Sequence, residues 1–382
     1  MMYDLVVKGG HVIDPSQGID EPMDVAVSNG KVHEVRRSIS TAGSKHVIDA
    51  SGLFVAPGFI DIHVHCCHYI AYIGIDPESV CLANGSTTVL DVGSTGELNF
   101  MGFRKYVIER CKTRIFALLN IESLGMIEFA REEQEWPKLI MEYEEMFINV
   151  KDTLKTIKEN SDVILGIKWA HHTPKGLKLA RKAADEAKCV LMAENHFQPE
   201  TLKYMRKGDV VTHIFHRYQK AVELRPSDGL LDEDGNVQPE FYDAIKRGVI
   251  MDVGHGYGSF VWEVAEKAFE QGIRPDTIST DLHVMNVNGP VYDLPTTMSK
   301  FLLLGMPLYD VIRASTTKPA EVIGKENEVG TLKPGASADL AIFKLEEGRF
   351  AFVDVNGNKK IGRQRLRVTN VVRGGEVIKK TP

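Results

Sequence analysis

Apolar and polar residues alternate in short runs over the first 56 positions of the chain. Leu5-Val6-Val7 leads into Lys8, and a Gly9-Gly10 turn separates it from His11-Val12-Ile13-Asp14. Met23 to Val27 and Lys31 to Val35 flank Asn29-Gly30, a pair that accepts positive φ at little cost and so marks a tight hairpin. His46 to Ala50 adds another strand. His11, His33 and His46 sit in these strands and read as structural or exposed residues.

From about residue 57 the pattern changes to strand alternating with helix. Strands are expected at 59–63, 86–91, 114–120, 162–169, 188–195, 210–214, 249–253 and 276–281. Amphipathic stretches at 138–159, 174–187, 262–272 and 296–304 fall between them. Such alternation predicts an α/β fold with a parallel sheet, and eight units predict a closed (β/α)8 barrel of the TIM type. Beyond about residue 325 the chain reads as β again, at Ala338–Phe343, Phe350–Val353 and Arg367–Val372, with a last turn at Gly374-Gly375. The two chain ends, 1–56 and 325–382, are therefore expected to form one discontinuous small β-sandwich domain. The barrel, 57–324, interrupts it.

Composition narrows the classes. Of 382 residues, 43% are hydrophobic and 26% charged, as in a soluble globular chain with a large core. A net charge of −6 gives no basic footprint, so neither nucleic acid nor an anionic membrane is an expected partner. No apolar run approaches the roughly 20 residues of a membrane helix. The five cysteines form no Cys-x-x-Cys pair, and the first residues show no basic-then-apolar leader. A cytoplasmic protein with free thiols is expected. Its expected partner is a small-molecule substrate, and a homo-oligomer stays open.

The histidines locate the chemistry. Ten of the thirteen lie between His63 and His283, and none follows. Pro57-Gly58-Phe59-Ile60-Asp61-Ile62-His63-Val64-His65 is an apolar strand ending in two histidines one residue apart. Residues i and i+2 share a strand face, so both imidazoles leave the strand end together, as metal ligands do. Active sites of β/α barrels lie at the C-terminal strand ends. The fourth strand runs into Lys168, the fifth into His196, the sixth into His213, the seventh into His255 and the eighth into Asp281.

Two histidines, a lysine, two more histidines and an aspartate suit two divalent ions sharing a bridging hydroxide. An ammonium has no acceptor and cannot bind metal. A buried neutral Lys168 could instead take up CO2, and the carbamate would bridge the two ions. The plainer alternative for Lys168 is a barrel lysine paired with an acid.

At this point the chain resembles the amidohydrolase superfamily, through the Pro57–His65 signature, Thr316-Thr-Lys-Pro-Ala320 and Gly330-Thr-Leu-Lys-Pro-Gly335 running on to Ala338-Asp339-Leu340. Within it the chain is most similar to deacetylase-type, dihydroorotase-like metallohydrolases, through Gly166-Ile167-Lys168, Val211-Thr212-His213, Asp252-Val-Gly-His-Gly256 and Ser279-Thr-Asp-Leu-His283. The resemblance implies that His63, His65 and Asp281 hold the more buried ion, shared with Lys168, and that His196 and His213 hold the more exposed one. Zinc is the expected metal, with manganese, iron or cobalt as alternatives. It implies Asp281 as general base in hydrolysis of an amide or ester.

His255, His283 and Tyr257 are expected to contact substrate, with Ser259 as a further hydroxyl. His171 and His172 read as pocket or solvated loop residues, His216 as loop, and Cys66 and Cys67 as small buried residues rather than thiolate ligands. Dihydroorotases usually carry an arginine two residues after the second histidine, where this chain has Cys67, which weakens a pyrimidine substrate. The leading expectation is a deacetylase-like hydrolase of a small N-acyl or O-acyl compound. A cyclic amidohydrolase, of the dihydroorotase or hydantoinase kind, is the rival enzyme, and a scaffold with a vestigial metal site the rival class.

Overall fold

The computed structural model describes residues 3–126, 144–170, 174–194, 200–216 and 229–378. One of its two sheets joins the chain ends. β1 (Leu5–Asp14), β2 (Ile19–Ser28), β3 (Lys31–Arg36), β4 (His46–Asp49) and β5 (Phe54–Pro57) come from the beginning. The second sheet follows in sequence: β6 (Phe59–Val64), β7 (Ser86–Val92), β8 (Arg114–Asn120), β9 (Ile164–Trp169), β10 (Val190–Glu194), β11 (Val210–Thr212) and β12 (Ile250–Met251). β13 (Leu340–Val353), β14 (Lys359–Arg373) and β15 (Glu376–Ile378) then return to the first.

The terminal sheet is mixed and runs β15-β14-β13-β5-β1-β2-β3, with β4 parallel to β1. Its two halves meet where β13 pairs antiparallel with β5, Leu340 opposite Pro57 and Phe343 opposite Phe54. Asn29 and Gly30 make the β2–β3 turn at φ 52° and 70°, as the Asn-Gly pair requires. Alternate residues Val25, Val27, Val32, Leu340 and Ile342 pack inward together. The expected strands at 338–343 and 350–353 are one continuous strand, β13, paired along its length with β14 through two bulges. The polar stretch between them is held by charge: Glu346 meets Lys344, Arg365 and Arg367.

The second sheet is parallel, with β6 to β12 in sequence order. Ile60, Ile62, Leu90, Leu118, Met192 and Val210 fill its inside. Leu177, Ala180, Ala183 and Ala184 of the helix Pro174–Ala187 pack against its outside. Burial on both faces explains why the strands read as unbroken apolar runs. The expected eighth strand, 276–281, is present as an irregular segment. It bridges β12's end through Asp252–Thr277 and β6 through Val64–Leu282, and so closes the ring. Asp281 has φ 52°, outside the extended region, which is why regular pairing fails there.

Helices lie near their expected places, at Val150–Glu159, Trp262–Glu270 and Leu294–Leu303. Asn149 caps the first by accepting from Asp152 N–H. Part of the expected helix 138–159 falls among residues outside those described. No helix among the described residues is long and apolar enough to cross a membrane.

Candidate metal centre

β6 delivers His63 and His65 to the C-terminal mouth of the barrel, both almost fully buried. The irregular segment opposite supplies Asp281. Its Oδ1 lies 3.0 Å from His65 Nε2 and 3.4 Å from His63 Nε2. Ligand atoms of these three residues fall within 4.8 Å of one another.

Hydrogen bonds behind the rings fix which nitrogen faces the centre. His63 Nδ1 is 2.9 Å from Thr212 Oγ1, and that hydroxyl gives its own proton to Asp252 Oδ2 at 2.7 Å. A hydroxyl has one proton, so Thr212 must accept from His63 Nδ1–H. The same relay serves His65: Nδ1 lies 3.0 Å from Ser94 Oγ, which donates to Asp91 Oδ2 at 2.8 Å. His213 Nδ1–H donates to Gly254 O at 2.6 Å. His63 and His65 therefore turn an Nε2 lone pair toward the centre, with the outer nitrogen oriented as in protein metal sites, while the facing Glu194 carboxylate pushes the buried His213 up toward its charged form. His63 Nε2 is buried without a hydrogen-bond partner. Two imidazole lone pairs and a carboxylate converging in this way fit a divalent metal ion of the zinc type.

The charges agree. Burial, then the nearby Lys168, push His63 down to about 4, so its ring is neutral near pH 7. Burial pushes Asp281 up, but the facing His63 and His65 outweigh it and hold its carboxyl well below the usual range. His213 and Asp281 both have positive φ, 62° and 52°, a strained backbone for residues other than glycine. Gly254 and Gly256 make room for them. A Cβ on Gly254 would lie 2.2 Å from Thr212 Oγ1, and one on Gly256 would lie 2.5 Å from Asp281 Oδ2.

Lys168 ends up fully buried beside this group, with Nζ 3.1 Å from Glu194 Oε1. Glu194 is not among the expected site residues. It closes β10, so the fifth strand ends on a carboxylate two positions before His196. His196, His171 and His172 lie outside the described residues. A period-two reading from the inward Met192 reaches Glu194 first, and this is the signal available in the sequence.

A cleft of about 230 Å³ opens over the centre, lined on one side by His65, Glu194, His213 and Asp281. His283, Tyr257 and Ser259 line it too, with Ile73, Met126 and Met285. His255 is absent from this lining, contrary to its expected substrate contact. Its ring stacks on Phe260 at 4.7 Å, and its Nε2 meets Lys300 Nζ at 2.5 Å, so it faces the outer core. The apolar run at Phe260-Val261-Trp262 draws it there. His216 bonds Gly258 O and does not join the converging donors. Cys66 and Cys67 are buried free thiols that burial pushes up, so neither offers a ready thiolate.

A parallel barrel with histidines and an aspartate converging at its mouth is the architecture of metal-dependent hydrolases. The chain belongs to the amidohydrolase family, whose pattern matches residues 54–378. It is 35% identical over 361 residues to a deacetylase of Agrobacterium fabrum, covering 92% of this chain and 85% of that one. Among solved structures, an adenine deaminase superposes with a TM-score of 0.87 at 30% identity, over 98% of this chain and 99% of that one. A dihydroorotase superposes at 0.83 and 31% identity, over 98% and 97%.

Proposed function

We propose that the chain is a divalent-metal-dependent hydrolase that removes an acyl group from a small amide or ester, such as an N-acylated amino acid or an O-acylated hydroxy acid. The observation that carries this reading is the convergence of His63, His65 and Asp281 at the floor of a cleft. Likeness along most of the chain to a deacetylase supports the acyl substrate.

When bound, a divalent ion supplies Lewis acidity toward a carbonyl and lowers the pKa of a water. His63, His65 and Asp281 would hold it, and nitrogen and carboxylate donors suit zinc. His213 and Glu194 line the adjoining position for a second ion. Asp281 stays ionised across the working pH range. It takes a proton from the attacking water and passes it to the departing nitrogen or oxygen. His283 Nδ1 accepts from Met285 N–H at 3.2 Å, which leaves the ring proton on Nε2 as a donor for a substrate oxygen. Ile73, Met126 and Met285 offer an apolar wall to the acyl group and keep bulk water away.

Likeness to a dihydroorotase favours a second reading, a cyclic amide opened by the same groups. Cys67 in the place of the carboxylate-binding arginine speaks against it. The test is a panel of N-acetylated amino acids, O-acetylated hydroxy acids and dihydroorotate-like or hydantoin-like rings, run on metal-loaded protein and Asp281→Asn. Open-chain acyl turnover is expected, falling at least about 100-fold in the variant. Turnover of rings alone would establish the second reading. A metal-loaded protein silent on the whole panel would overturn both.

A further inference from the structure

Two loops of the cleft wall are fastened from behind by one side chain. Lys300 projects from the helix Leu294–Leu303 and is fully buried. Its Nζ donates to His255 Nε2 at 2.5 Å, to Pro290 O at 3.0 Å and to Val353 O at 2.6 Å. His255 Nε2 is free to accept because Nδ1–H is given to Gly256 O at 3.1 Å. The three acceptors belong to three separate segments: the loop after the seventh strand position, the loop after the eighth, and the end of β13. An ammonium has three protons, so each segment receives one. No uncharged side chain offers three donors from a single atom, and taking an ammonium out of water is costly.

Each loop carries cleft residues close to its fastened point. His255 is followed by Tyr257 and Ser259, which line the cleft. Gly256 N–H donates to Thr280 O at 2.9 Å, next to Asp281. On the other loop, Gly289 N–H donates to Asn286 O at 2.9 Å, just before Pro290. Asn286 is fully buried, and its side chain donates to Asp281 O at 2.7 Å and accepts from His283 N–H at 3.0 Å. A path of hydrogen bonds thus leads from behind the cleft to the backbone that presents Asp281 and His283. We propose that Lys300 is a positioning residue, whose ammonium holds the loops 255–259 and 281–290 in register across the cleft. Its bearing on turnover rests on the hydrolase reading above, whereas the fastening itself does not.

The test compares the full-length wild type with Lys300→Met, which keeps the apolar stem, and His255→Leu, which removes one acceptor. Amide hydrogen exchange is followed by mass spectrometry on peptides covering 254–262, 282–292 and the strands β7 to β9. In Lys300→Met both loop peptides are expected to exchange at least about tenfold faster, with β7 to β9 unchanged. In His255→Leu only 254–262 should do so. On an open-chain acyl substrate, kcat/KM is expected to fall at least about tenfold in Lys300→Met, chiefly through KM, because Tyr257, Ser259 and His283 face the substrate. Loop exchange at the wild-type rate would overturn the proposal, as would exchange raised equally in β7 to β9. So would a kcat/KM equal to wild type in a variant whose loops are loosened. If Lys300→Met fails to fold, His255→Leu decides: loosening confined to 254–262 supports the fastening, and unchanged exchange overturns it. A wild type silent on every acyl substrate would overturn the hydrolase reading, and the exchange rates would still decide the fastening.

Discussion

Thr212 accepts a hydrogen bond from His63 Nδ1 because its own hydroxyl proton is spent on Asp252. One methyl-bearing side chain on the sixth strand thereby sets the tautomer of a histidine on the first. Thr212→Val keeps the shape and deletes the relay. His63 Nδ1–H and Asp252 would each lose a buried partner, at a cost of about 1–3 kcal/mol in folding stability. Metal affinity is expected to fall about 10- to 100-fold. Calorimetric metal titration with a urea melt checks both, and an affinity equal to wild type would show that the relay does not orient the ring.

Gly254 has φ 45° and faces the same hydroxyl, with 2.7 Å from its would-be Cβ to His213 Nδ1. Gly254→Ala must move Thr212 or His213 and also adopt a strained backbone. A loss of about 1–3 kcal/mol is expected, with weaker metal binding. Gly258, four residues on in the same loop, has nothing within 4 Å of the place a Cβ would take. Gly258→Ala should melt within about 0.5 kcal/mol of wild type. Equal losses at both positions would mean that general loop strain, and not the contact with Thr212 and His213, sets the effect.

How far the sequence can be read follows from the kind of signal each element leaves. The barrel strands are legible because burial on both faces writes an apolar run, and His63, His65 and Asp281 because strand ends mark the active face. Glu194 escapes notice because His196 offers a more familiar ligand two positions later, at the same parity. The sequence alone does not mark where β10 stops. His255 misleads for another reason: a histidine in a glycine-rich loop reads as a pocket residue. Its actual partners, Phe260 and Lys300, are set by tertiary packing. The long β13–β14 hairpin reads as broken in two because of a polar stretch whose cross-strand partners lie about twenty residues away, as Glu346 and Arg365 do.

Removing metal should loosen the fold. His63 Nε2 is buried without a hydrogen-bond partner, and Asp281 faces it at 3.4 Å. A metal that binds only the folded chain stabilises it by about 2.7 kcal/mol at a free concentration 100 times its dissociation constant. Dialysis against a chelator is expected to lower the melting midpoint, and added zinc to restore it. The midpoint should rise with zinc concentration in the wild type and stay flat in a His63→Ala, His65→Ala double variant. A midpoint indifferent to zinc in the wild type would mean that the three donors do not bind it in the folded state.

Lys300 ties the barrel to the terminal sheet from a fully buried position. Its Nζ meets His255 Nε2 at 2.5 Å, Val353 O at 2.6 Å and Pro290 O at 3.0 Å, one acceptor for each ammonium proton. Burial works the other way and pushes the amine down to about 7 from its ordinary 10.5, with Asp354 pulling partly back. The unfolded chain then keeps this proton up to pH 10.5, while the folded chain gives it up near 7. Between those values the unfolded state binds more protons, so this residue makes stability rise with pH, by up to about 1.4 kcal/mol per pH unit. Lys300→Met removes the titrating group and fills the same volume. Urea melts across this range should show the wild type gaining on the variant as pH increases. Parallel stability profiles would show that the three acceptors hold the ammonium against burial, and that Lys300 remains charged throughout.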